Sequence, residues 1–145
     1  MCGLVAYVGP ERLDLSPALE KISHRGPDNA SSLSLKHDDR NYVNLGHVRL
    51  SIMDLDPRSN QPYFKHANYV LVFNGEIYNF KDLRRELLEK GVNFETTSDT
   101  EVLYELLILH GKNAISMLNG MFAFLFYDIE NEIILIGRDY LGIKP

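Results

Sequence analysis

The chain has 145 residues, 45% of them hydrophobic, with 15 basic against 20 acidic side chains and a formal net charge of −5. That is enough for one globular domain with a real core, and the mild acidity without any Lys/Arg cluster argues against nucleic acid or an anionic membrane as partner. No stretch is apolar enough to span a bilayer or act as a signal peptide, and a single cysteine, Cys2, excludes an internal disulfide and fits a reducing cytoplasm.

In chain order, the first expected strand covers residues 3–8 and a short helix opens at Ser16-Pro17 and runs to about 23, with Pro in the first turn where its missing N–H costs nothing. Residues 24–29 form a tight loop. Residues 31–37 and 42–52 alternate as strands around the turn 38–41. A Pro- and Asn-containing loop over 53–66 leads to an apolar β run over 69–73 that ends at Asn74-Gly75. An amphipathic helix is expected over 81–90, with Leu83, Leu87 and Leu88 on one face and Gly91 as its stop. A second helix covers 100–110, started by a capping box Ser98-x-x-Glu101 and carrying its apolar residues on one side. Residues 121–127 and 132–137 make a hairpin around 128–131. Strands, a helix pair and strands again indicate an α+β fold with helices on antiparallel sheet. The chain stops at Pro145 just after a strand, and a bare sheet edge invites aggregation, so further chain or a partner is expected beyond it.

Four features carry chemistry. Cys2 follows Met1 directly, and clipping of Met1 leaves a thiol and an α-amine on one carbon. A free α-amine titrates at about 7.7–8.0 and a thiol at about 8.5, so proton exchange between them is nearly thermoneutral and suits nucleophilic catalysis; the competing reading is a buried strand cysteine. In Phe73-Asn74-Gly75-Glu76-Ile77-Tyr78-Asn79, a side-chain amide beside a backbone N–H suits an oxyanion hole; the same Asn-Gly is also a common tight-turn dipeptide. Arg49, set in the apolar run Val48-Arg49-Leu50, needs an anionic partner: a ligand carboxylate, or a salt bridge to Asp54 or Asp56. Ser98-Asp99-Thr100-Glu101 reads as a helix cap and also as an anion able to hold a ligand ammonium, a role open to Glu76 as well. The five histidines lack metal-ligand spacing and no Gly-rich phosphate loop exists, so neither a metal nor a nucleotide is expected in this chain.

Cys2-Gly3-Leu4, His24-Arg25-Gly26-Pro27-Asp28, Arg49-Leu50-Ser51-Ile52, Gln61-Pro62, the run from Phe73 to Asn79, Ser98-Asp99-Thr100-Glu101 and Gly120-Met121-Phe122-Ala123-Phe124 stand in the order seen in class II glutamine amidotransferases. The wording resembles the glutaminase domain of glutamine-hydrolysing asparagine synthetase. That resemblance implies the N-terminal-nucleophile fold, a four-layer α/β/β/α sandwich of two antiparallel sheets. It implies a glutaminase domain over residues 1–145, incomplete at its C-terminal end, with the synthetase domain absent from the chain. Cys2 is implied as nucleophile with its own amine as base, and Asn74 with the Gly75 N–H as oxyanion hole. Arg49 is implied as the clamp on the glutamine α-carboxylate and Glu76 and Asp99 as holders of its α-amine, with backbone near Leu50 and Ile52 lining the pocket. Arg25 and Asp28 are implied to shape the site. The partners implied are L-glutamine and a synthetase domain or subunit that takes the ammonia, and the glutaminase step needs no cofactor, ATP and Mg belonging to the synthetase. Two alternatives remain at this stage: a glutamine- or partner-binding module without turnover, and an amidotransferase with another acceptor.

Overall fold

The computed structural model describes residues 2–145; the processing expected at Met1 lies outside the described residues. Two three-stranded antiparallel sheets form the centre. The first has the order β1 (Gly3–Gly9), β3 (Tyr42–Arg49), β2 (Asn29–Lys36), and the second β4 (Tyr69–Ile77), β5 (Gly120–Asp128), β6 (Ile133–Arg138). α1 (Ser16–Ile22) lies on the outer face of the first sheet, and α2 (Phe80–Glu89) and α3 (Asp99–His110) cover the second.

The period-2 alternation of strands sorts side chains between these layers. From β3, Val43 and Leu45 pack against Val70, Val72, Leu125 and Tyr127 of the facing sheet, while Val48 points the other way onto Leu15 and Leu19. β3 is therefore covered on both faces, and its residues from Val43 to Arg49 are all buried. From β4, Leu71, Phe73 and Ile77 face the helices and meet Leu83, Leu87, Val102, Leu103 and Leu106. Each such side chain contributes roughly 1.5–3 kcal/mol on full burial.

Three expectations change. The strand expected to end at Asn74-Gly75 runs on to Ile77, with Asn74 opposite Ala123 and Gly75 opposite Phe122. Neither residue has positive φ, so the dipeptide is not a turn. Gly75 is required instead by proximity, since a Cβ there would collide with the Met121 carbonyl and the Phe122 backbone. The strand expected over 42–52 ends at Arg49, because the main chain beyond it turns to Cys2 and Asp28. α3 has no exposed polar side over its first nine residues: Asp99 to Leu107 are all buried, between the second sheet, α2 and the 3₁₀ turn Gly111–Met117.

One buried polar contact joins the sheets. His47 of β3, fully buried, donates from Nε2 to the Phe73 carbonyl of β4 at 3.1 Å, and its Nδ1 has no partner among the described residues. Burial pushes the imidazole down to about 4, with the Arg49 charge adding to the shift. The histidine is thus neutral over the physiological range. Its pH signature has a definite sign. Between an unfolded pKa of about 6.5 and the folded value of about 4, the unfolded chain takes up a proton that folded His47 refuses. Stability therefore falls as pH drops through that window, by on the order of 3 kcal/mol from this residue. His47→Gln, which keeps an N–H donor, is expected to lose that component: the difference in urea-unfolding free energy between the two proteins should shift in the variant's favour from pH 7 to pH 4.

Candidate active site

The site begins where β1 begins. Gly3 pairs with Val48 at the end of β3, so Cys2 lies beside the residues that leave β3. Its Sγ accepts from the Leu50 N–H at 3.4 Å and lies 3.7 Å from the Leu50 carbonyl. Its carbonyl accepts from Arg25 Nε at 3.1 Å. Arg25 closes the 3₁₀ turn Ser23–Arg25, after which Gly26 lies so close to the Val48–Arg49 peptide that any Cβ would clash. Asp28 then holds the chain on both sides of Leu50: its N–H donates to the Arg49 carbonyl at 3.0 Å, and its Oδ2 accepts from the Ser51 N–H at 2.6 Å. The His24–Asp28 motif thus fixes the main chain around the thiol.

Opposite lies the outer edge of β4. Phe122 of β5 exchanges its N–H and C=O with Asp139 rather than with Gly75, so the Gly75 main chain points away from β5. Leu71, Phe73, Gly75 and Ile77 therefore turn their N–H groups outward in a row. The Leu71 N–H donates to the Tyr63 carbonyl at 2.9 Å, that of Phe73 to Gln61 Oε1 at 2.6 Å, and that of Ile77 to Asp99 Oδ2 at 3.0 Å. The Gly75 N–H alone in this row has no acceptor among the described residues. Asn74, 2% exposed, likewise makes no side-chain hydrogen bond among them. Two donors on adjacent residues are thus without acceptors among the described residues.

The charged groups divide by sign. Arg49, at the end of β3, is 5% exposed. Its Nη1 donates to the Asp56 carbonyl at 3.0 Å and to Asn60 Oδ1 at 2.7 Å, and its Nη2 donates to the Asp54 carbonyl. The salt bridge to Asp54 or Asp56 weighed from sequence is not formed; Arg49 takes their carbonyl oxygens, while the carboxylates turn to Thr97 and Arg58. The guanidinium charge is held by neutral acceptors, and of its five donors the Nε–H and one Nη2–H have no acceptor among the described residues.

Asp99 opens α3 and is buried. Burial raises its carboxyl to about 6, against the N–H donors of Ile77 and Thr100, with the Glu76 charge raising it further. Ser98 caps the helix, its Oγ accepting from the Glu101 N–H at 3.2 Å. The reciprocal half of the expected capping box is absent. The fully buried Glu101 carboxylate accepts instead from the Glu95 N–H and from the N–H and Oγ1 of Thr96, and pairs with Lys65 at 3.2 Å. Burial works against its charge, but these donors hold it below the usual carboxylate range.

All eight site residues read from the sequence, Cys2, Arg49, Leu50, Ile52, Asn74, Gly75, Glu76 and Asp99, border one cavity of about 150 Å³. Ser59, Gln61 and Lys144 also line it. Gln61 was visible only as part of a Gln-Pro pair, and nothing near Ser59 or Lys144 in the sequence marks them. Among the described residues no cluster of His, Cys, Asp or Glu could hold a metal ion, and no helix is long and apolar enough to cross a membrane.

A thiol at a strand end, two donors without acceptors among the described residues and charged groups of opposite sign thus border one cavity within an α/β/β/α sandwich. The chain belongs to the class II glutamine amidotransferases: the family model for the glutamine amidotransferase domain matches residues 1–145. Asparagine synthetase [glutamine-hydrolyzing] 3 of Bacillus subtilis is 36% identical over 154 residues, covering 100% of this chain and 24% of that protein. The corresponding enzyme of Asparagus officinalis is 35% identical, covering 100% and 24%. Amidase chry2 of Gibberella zeae is 37% identical, covering 99% and 23%. The chain spans about a quarter of the length of the curated relatives it matches. In fold it matches the glutamine phosphoribosylpyrophosphate amidotransferase of B. subtilis with a TM-score of 0.73 at 24% identity, over 97% of this chain and 38% of that one.

The raised carboxyl of Asp99 has a testable cost. Its contribution to stability is full below the ordinary carboxylate range, where folded and unfolded forms are both protonated, and is lost as pH rises through about 6. At pH 8 the site therefore carries a desolvated charge. Asp99→Asn, which keeps an oxygen for the Ile77 N–H, is expected to raise the melting temperature of the ligand-free protein at pH 8, measured by calorimetry, and to have less effect at pH 5.

Proposed function

We propose that this domain hydrolyses L-glutamine to glutamate and ammonia through a thioester on Cys2. The observation that supports the reading is the edge of β4: the Asn74 carboxamide and Gly75 N–H, without partners among the described residues, border the same cavity as the Cys2 thiol. In this scheme removal of Met1 frees the Cys2 amine, which takes the thiol proton as sulfur attacks the carboxamide carbon. The oxyanion forms against Asn74 and Gly75. As the intermediate collapses, the amine returns its proton to the departing nitrogen and ammonia leaves. Water, deprotonated by the same amine, then attacks the γ-glutamyl thioester, and the C–S bond breaks to release glutamate. The two donors that remain on Arg49 grip the α-carboxylate, Asp99 and Glu76 hold the α-ammonium, and the chain at Leu50 and Ile52 walls the pocket.

The ammonia passes in this reading to an ATP- and Mg-dependent synthetase domain or subunit outside the 1–145 domain, which makes asparagine from aspartate. The names of the asparagine synthetase relatives support that acceptor. The lone reduced thiol supports a cytoplasmic setting.

Glutamine-dependent ammonia release tests the assignment, with intact mass used to verify loss of Met1. Cys2→Ala should fall to background. Asn74→Ala should lower kcat by roughly 100- to 1,000-fold, the ~2.7–4 kcal/mol of one oxyanion donor, with KM little changed; an undiminished kcat would remove Asn74 from the mechanism. Because ionised Asp99 is the form that attracts an ammonium, KM for glutamine should rise as pH falls below about 6, while Asp99→Asn should show a high KM at every pH.

A further inference from the structure

The two charged anchors stand on different layers. Arg49 ends β3 in the first sheet, and Asp99 begins α3 over the second. No strand ladder runs between them, so another contact must fix their separation. Asp54 makes that contact with three different atoms. Its main-chain carbonyl accepts from Arg49 Nη2. Its Oδ1 accepts from the Asp56 N–H at 3.0 Å, and the Asp56 carbonyl in turn accepts from Arg49 Nη1 at 3.0 Å. Its Oδ2 accepts from the Thr97 N–H at 2.6 Å and from Thr97 Oγ1 at 3.1 Å. Thr97 directly precedes the Ser98 cap and Asp99.

Asp54 also has a φ of +52°, a conformation that residues with a Cβ rarely adopt and that Asp and Asn tolerate best. That backbone sends its carbonyl to Arg49 while its side chain crosses to Thr97. A residue held in a sparsely populated conformation, with both carboxylate oxygens and its carbonyl committed, is over-determined by its surroundings, as strained residues near binding sites commonly are. The links run unbroken from Arg49 through Asp54 to the turn that carries Asp99.

We propose that Asp54 is a positioning residue that sets the distance between Arg49 and Asp99, and so makes the site demand an α-carboxylate and an α-ammonium on the same ligand. The proposal rests on the amino-acid-clamp reading of the site. Asp54 touches neither ligand charge; it acts through the two residues that do.

The test separates this role from a general structural one by comparing ligands with and without the ammonium. Binding of L-glutamate and of glutarate, its analogue lacking the α-amine, is measured by calorimetry on the full chain, which needs no turnover. The unmutated protein is expected to prefer L-glutamate. Asp54→Ala should weaken L-glutamate about tenfold or more and leave glutarate within about threefold, so that the preference collapses. Asp54→Asn, with one acceptor oxygen in place of two and the same backbone tolerance, should fall between. In ammonia release, Asp54→Ala should raise KM for glutamine by a similar factor with kcat within about threefold. Retention of the full L-glutamate preference in Asp54→Ala, or equal weakening of both ligands in Asp54→Asn with the fold intact by circular dichroism, overturns the proposal while leaving the clamp in place. An unmutated protein that binds neither ligand overturns the clamp and the proposal together. One that prefers L-glutamate but releases no ammonia, processed at Met1, overturns hydrolysis alone.

Discussion

The outer edge of β4 is the constraint from which the site is built. A strand edge offers a row of main-chain donors that must be paired, covered or left to water. Here the row is covered by three unlike devices: a loop carbonyl from Tyr63, the carboxamide of Gln61 and the carboxylate of Asp99. None of the three is a strand, and a strand in that place would have consumed every donor. Because the cover is piecemeal, one position, Gly75, is skipped. The same covering groups bring the loop over residues 54–63 and the start of α3 to the cavity, so edge protection and site assembly are one arrangement.

The second determinant is how charge is buried. Arg49 is surrounded by neutral oxygens and Asp99 by main-chain N–H groups, so each is solvated by dipoles without being neutralised. Elsewhere in the same core the opposite choice is made: Glu101 and Glu105 share the Lys65 ammonium. The contrast separates ions neutralised by a partner within the fold from ions that border the cavity held by dipoles alone.

The sequence displayed a good part of this, and the reasons are local. The amphipathic spacing of α2, the Ser98 cap of α3 and the alternation in the strands follow from side-chain periodicity and are nearly independent of distant partners. Arg49 inside an apolar run announced a buried cation, yet its acceptors could not be foreseen, because carbonyl groups have no sequence signature. Asn74-Gly75 shows the limit most clearly. Its turn chemistry is real, but pairing of Ile77 with Gly120 carries the strand past it, a contact 43 positions away in the chain. The spacing of Ser98 and Glu101 reads as a capping box; the half-buried Lys65 from a separate loop and the N–H groups of Glu95 and Thr96 draw the Glu101 carboxylate elsewhere. Ser59 reaches the cavity from the one-turn 3₁₀ segment Pro57–Ser59 and Lys144 from the irregular chain after β6, where neither periodicity nor motif operates. The resemblance to the class II family supplied the order of the layers, which periodicity could not.

The collar around Arg49 constrains how this segment can change over evolutionary time. Two of its three acceptors belong to the main chain at Asp54 and Asp56, and every amino acid carries the same carbonyl. Exchange of side chains at neighbouring exposed positions such as Leu55 leaves those oxygens where they are. Loss or gain of a single residue between Arg49 and Asn60 does not, since it shifts the whole path by several ångströms. The segment should therefore tolerate drift in spelling far better than drift in length.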